Sequence, residues 1–84
     1  MNREDIMAKV VAIVVDKLNV SAQEVLPTAH FANSLGADSL DQVELVMELE
    51  KAFDVYIKDN EATHLQTVGS VVDYLEEALA QRKA

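Results

Sequence analysis

The chain has 84 residues, half of them apolar, with few aromatics and no cysteine. A domain of this size buries only about 60% of the surface its unfolded chain exposes, and the missing cysteine excludes a disulfide framework or a thiolate metal site. A formal net charge of −8 lacks the basic footprint of a nucleic-acid binder, disfavours an anionic membrane surface, and makes basic proteins the natural partners.

Residues 1–84 read as one domain, and scarce glycine and proline suit helices better than short strands. Asn2 is a plausible N-cap with Asp5 three residues on. Ile6, Val10, Ile13, Val14 and Leu18 then recur at helical spacing, predicting a helix over 3–18, its apolar face widened by Val11 and Val15. Arg3 is followed at once by Glu4 and Asp5, and the apolar run from Val10 stops at Asp16. That run is too short to span a membrane or to act as an export signal, so no membrane insertion is expected. The cytoplasm is the expected compartment, or an organelle interior if a transit peptide has been removed.

Residues 19–38 form a long connection. Ser21 and Glu24 suit a one-turn capping box, Pro27 blocks a helix through it, and Val25, Phe31 and Leu35 are expected to pin it to the core. A second helix is predicted over Ser39–Phe53, capped by Asp38, with Gly36 freeing the turn before it. A short third helix is predicted near 59–64. A fourth follows, capped by Thr67 and buried through Val68, Val71, Val72, Leu75 and Leu79. The expected fold is all-α: a small four-helix bundle, three longer helices plus one short helix, with a long first loop.

The second helix has two apolar faces. At about 100° per residue, Leu45, Val46, Leu49 and Phe53 form one stripe, and Leu40, Val43 and Met47 fall nearly opposite. A bundle needs one such stripe. The other reads either as a partner face or as a solvated face with incidental apolar residues. Asp41, Glu44, Glu48 and Glu50 flank it, and the segment from Gly36 to Glu61 holds eight acids against two lysines. An apolar strip with an acidic rim suits a basic groove with a hydrophobic floor.

Ser39 opens this helix. Free amides and the positive end of the dipole favour a phosphate there, although Asp38 beside it opposes an added anion. Alone, such a serine is usually a capping residue. The run Leu35-Gly36-Ala37-Asp38-Ser39-Leu40-Asp41 resembles the attachment motif of acyl carrier proteins. The similarity continues through Val43-Glu44-Leu45-Val46-Met47 to Phe53-Asp54, Ile57-Lys58-Asp59 and Thr67-Val68-Gly69, so it covers nearly the whole chain.

The resemblance implies a carrier rather than an enzyme. Ser39 would hold a 4'-phosphopantetheine arm, taken from coenzyme A by a separate phosphopantetheinyl transferase. Acyl chains would ride on the arm's thiol as thioesters. Asp38, Leu40, Asp41, Val43, Glu44, Met47 and Glu48 match the family's partner-facing positions. They would meet fatty acid synthesis enzymes and acyltransferases with basic docking surfaces. Phe31, Leu45, Val46, Leu49, Phe53, Ile57, Ala62 and Leu65 would line a cavity for the chain. The resemblance implies a monomer working in type II fatty acid synthesis; a specialised lipid or polyketide pathway stays open. No metal site is expected, and neither His30 nor His64 has a catalytic motif around it.

Several positions depart from the family pattern. Asn33 and Ser34 stand where acids are frequent, Lys58 where proline is common, and Lys51 interrupts the acidic face. Val71 is bulkier than the usual alanine and is expected to narrow the cavity. The competing reading is a plain acidic interaction protein in which Ser39 stays unmodified. A calcium sensor fits less well, since Asp38, Asp41 and Glu44 lack the ligand spacing of that loop.

Overall fold

The computed structural model describes residues 2–81. Four helices follow in order: α1 (Arg3–Leu18), α2 (Ser39–Phe53), α3 (Asp59–Ala62) and α4 (Val68–Gln81). The described residues contain no strand, only an isolated antiparallel bridge between His30 and Thr67. No helix among them is long and apolar enough to cross a membrane.

The helix limits follow from local chemistry. Asn2 Oδ1 accepts the Asp5 amide at 2.9 Å, and α1 ends where Asn19 turns left-handed at φ 55°, a conformation asparagine tolerates. Asp54, φ 54°, ends α2 in the same way. The Ser21 amide donates to Glu24 at 2.9 Å and starts a single 3-10 turn, Ala22–Glu24. The short helix α3 stops at Ala62, before the predicted residue 64. His64 and Leu65 donate to carbonyls three residues back, so the coil tightens into 3-10 geometry and runs out.

Both α2 and α4 pack closely on α1, whose Ile6, Val10 and Val14 are fully buried. Lys9 of α1 binds the Ala52 carbonyl at 3.3 Å and stands 5.3 Å from the Phe53 ring centre. It places a cation at the C-terminal end of the α2 dipole and over an aromatic face. Lys17 reaches Glu48 at 3.7 Å. These two clasps make α1 and α2 antiparallel.

The long loop is anchored at both ends. Val25, Ala29, Phe31, Leu35 and Ala37 are buried. The carbonyls of Pro27 and Ala29 accept the amides of Gly69 and Val68 at 2.8 and 3.0 Å, satisfying donors that the start of α4 would otherwise leave open. The approach requires glycine: a Cβ at residue 69 would sit 2.9 Å from the Pro27 oxygen. Thr67 and Ser70 complete the cap by exchanging hydrogen bonds, amide to hydroxyl, in both directions.

Surface charge is poorly balanced. The ion pairs among the described residues are Arg3 with Asp73 and Glu76, and Lys17 with Glu48, all on the surface, where such pairs contribute little. With a net charge of −8, self-repulsion opposes the compact state and salt screens it. The melting temperature should therefore rise between about 10 mM and 0.5 M sodium chloride in a thermal scan. A flat response would contradict this.

Candidate functional site: the start of α2 and the cavity beside it

Asp38 and Asp41 build the turn that presents Ser39. Asp38 Oδ1 accepts the Asp41 amide at 2.8 Å, and Asp41 Oδ2 accepts the Asp38 amide at 3.2 Å. This reciprocal capping box fixes the first turn of α2. The positive φ of Gly36, 73°, turns the chain into it, and the Ala37 amide donates to the Phe31 carbonyl at 2.8 Å. Ser39 is exposed. As the first helical residues, Ser39 and Leu40 have amides with no intrahelical acceptor, and no other acceptor engages them among the described residues. A phosphate on Ser39 would meet that positive helix end.

Beside Ser39 lies a cavity of about 610 Å³. Its walls are Val46, Leu45 and Leu49 from α2, Phe31 from the long loop and Val71 from α4. Ile57, Ala62 and Leu65 close it on the α3 side, and Ser39, Val43, Met47, Tyr56, Asp59 and Thr63 edge it. The space exists because α2 and α4 each lean on α1, leaving four-residue α3 to roof the gap between them. Seven of the eight residues expected to line a cavity do so. Phe53 does not: its ring is buried toward α1 beneath Lys9. It sits at the C-terminal end of α2, where the helix has passed the cavity.

The outward stripe of α2 is exposed: Leu40 by 65%, Val43 by 56% and Met47 by 53%. Asp38 and Glu44 are exposed as well, and Glu44 makes no hydrogen bond or ion pair among the described residues. Asp41 and Glu48 are only half exposed, Asp41 committed to the cap and Glu48 turned toward Lys17. Glu50 was expected on the acidic rim and does not belong there. It is half-buried, borders the cavity, and accepts the Ile57 amide at 2.7 Å. Sequence reasoning also missed Tyr56, 74% exposed at the cavity edge. It lies beyond the end of α2, where helical periodicity assigns no face.

His30 is a loop staple. Its Nδ1 accepts the Asn33 amide at 3.3 Å, and its Nε2 lies 3.1 Å from Gln66 Oε1. It thus ties the loop to the segment before α4.

Residues 8–75 match the family described as phosphopantetheine attachment site. The chain belongs to the acyl carrier protein family. It is 54% identical over 78 residues to an acyl carrier protein of Amoebophilus asiaticus, covering 93% of this chain and 98% of that one. An acyl carrier protein of Porphyromonas gingivalis is 52% identical over 75 residues (89% and 96%), and one of Thermosynechococcus vestitus 50% over 80 residues (95% and 99%). The solved structure of the acyl carrier protein from Enterococcus faecalis superposes with a TM-score of 0.79 at 35% identity, covering 93% of this chain and 99% of that one. The family brings a 4'-phosphopantetheine prosthetic group and a carrier role in fatty acid synthesis, not a catalytic one. An exposed hydroxyl at a helix start, beside an apolar cavity, fits such a group.

Proposed function

We propose that this chain carries acyl intermediates of fatty acid synthesis on an arm attached to Ser39, and that the cavity beside Ser39 shelters the chain between enzymes. The observation that supports this best is the position of Ser39: exposed, first in α2, and on the edge of the apolar cavity. A phosphopantetheinyl transferase supplies the general base that takes the Ser39 proton. Ser39 Oγ then attacks the pantetheine-side phosphorus of coenzyme A, and the pyrophosphate bond breaks to release adenosine bisphosphate. Attached there, the arm supplies a thiol that holds the acyl group as an activated thioester.

The chain's own residues do the rest. Asp38 and Asp41 hold the first turn of α2 rigid, so the arm leaves from a fixed point. Leu45, Val46, Leu49 and Phe31 offer an acyl chain an apolar wall. Burying six methylenes there would gain about 5 kcal/mol, at about 0.8 kcal/mol each. That is enough to hold a chain and small enough for an enzyme to draw it out.

The exposed stripe of Leu40, Val43 and Met47, with Asp38 and Glu44 at its margin, is the docking face for synthesis enzymes and acyltransferases with basic surfaces. Docking outside while the arm reaches inward lets one carrier serve many active sites. The carrier works as a monomer in the cytoplasm, beside the enzymes it serves.

Two charge reversals test the docking face. Glu44→Lys and Glu77→Lys change net charge equally, but Glu77 lies on α4 and away from the stripe. At low salt, Glu44→Lys should lower kcat/KM for arm transfer by a phosphopantetheinyl transferase about tenfold, and Glu77→Lys less than twofold, as expected for a docking charge against a remote one. Equal losses would mean that overall charge, not this face, guides the encounter.

A further inference from the structure

The cavity depends on the smallest helix. With four residues, no side-chain cap and no buried residue of its own, α3 lies far below the length at which a helix stands by itself. Tertiary ties must hold it over the cavity. Upstream, Glu50 fixes the Ile57 amide at 2.7 Å. Downstream, the Phe31 amide holds the Gln66 carbonyl at 2.9 Å. Between these anchors, the Tyr74 hydroxyl of α4 donates to Glu61 Oε1 at 3.2 Å.

The two faces of α3 are distinct. Asp59 and Ala62 border the acyl cavity. Glu61 points the other way, into a second groove of about 450 Å³ that it shares with Tyr74, Tyr56 and Ala78. The Tyr74–Glu61 bond therefore grips α3 from behind without touching the cavity wall. Tyr74 and Glu61 are both half-buried. Burial, then the bond to Glu61, then the charges of Glu61 and Glu50 push the phenol up from its ordinary range.

We propose that Tyr74 and Glu61 form a latch that clamps α3 to α4 and sets how readily the acyl cavity opens to admit and release its chain. The latch rests on the proposed role of the cavity, and Tyr74 acts through α3 as a positioning residue. An enzyme removing a cavity-held chain must work against this bond, so its strength tunes residence time.

The test compares wild type, Tyr74→Phe, Glu61→Ala and Glu61→Gln. Hydrogen exchange reads the lid directly, because the amides of Ala62, Thr63, His64 and Leu65 are bonded within it. One hydrogen bond predicts exchange at these amides about two- to tenfold faster in Tyr74→Phe and in Glu61→Ala. Val10 and Val14 should keep their rates. Glu61→Gln keeps an acceptor for the hydroxyl and should stay near wild type. Combining Tyr74→Phe with Glu61→Ala should add nothing further. On octanoyl-loaded protein, cleavage of the thioester by hydroxylamine should accelerate by the same factor. Acetyl-loaded protein, whose chain is too short to fill the cavity, should not change.

Unchanged exchange in α3, or equal acceleration throughout the molecule, would overturn the latch. Failure of the cavity reading looks different: octanoyl and acetyl thioesters of the wild type would then react equally fast.

Discussion

Ser39→Ala should remain folded and should never accept a phosphopantetheine arm. Alanine is the best helix former, and the cap of α2 is provided by Asp38 and Asp41, not by the Ser39 hydroxyl, which makes no hydrogen bond among the described residues. Loss of an exposed, unbonded hydroxyl should move stability by no more than about 0.5 kcal/mol. Chemistry, by contrast, disappears entirely, because no other oxygen occupies that position. Ser34 and Ser70 are engaged in holding the long loop and the start of α4, so neither can stand in. Circular dichroism and intact mass on the same sample check both halves. A variant that still gains the arm would refute the assignment of Ser39.

Met47→Asp should be the most damaging change on the docking face. Met47 is half exposed at the C-terminal end of the stripe, one turn from Val43 and close to Glu44. An aspartate there costs the folded monomer little, since about half of the side chain already faces water. In a complex it must give up its hydration against a partner's apolar surface. A hot spot of at least about 2 kcal/mol corresponds to a loss of about 30-fold in kcat/KM for arm transfer. The melting temperature should stay near that of wild type. Kinetics within twofold of wild type would show that the stripe is an ordinary solvated surface.

Sequence revealed what depends on neighbours along the chain. Asn2, Asp38 and Thr67 announce helix starts through side chains that cap amides two or three residues away, so the starts of α1, α2 and α4 were legible, while their ends followed only roughly from where the apolar period stops. The two stripes of α2 were legible from the 3.6-residue period alone. Ser39 was not: its place at a helix start is compatible with simple capping, and only the surrounding motif distinguishes it.

The features missed are long-range. Glu50 looked like another rim acid, but its carboxylate turns inward to the Ile57 amide. Phe53 shares a helical face with Leu45 and Leu49, yet its height along α2 carries it past the cavity to Lys9. Neither the contact of Pro27 with Gly69 nor that of Tyr74 with Glu61 has a local signature, because loop and helix meet only after the core has formed.

The departures from the family pattern acquire positions in the fold. Val71 is buried on the cavity wall, where it fills space that an alanine would leave open. Lys58 borders the second groove beside Glu61 and Tyr74, behind the roof of the cavity and away from Ser39. Lys51 is exposed on α2 and tempers the acidic face near its C-terminal end.

The most direct test of the carrier role is intact mass spectrometry of the folded wild-type chain before and after incubation with coenzyme A and a broad-range phosphopantetheinyl transferase, followed by fragmentation to locate the added group. The expected result is a gain of one phosphopantetheine, or its presence from the outset, with the added mass on Ser39. No gain on unmodified folded protein beside a working control carrier, or a gain on any other residue, would contradict it.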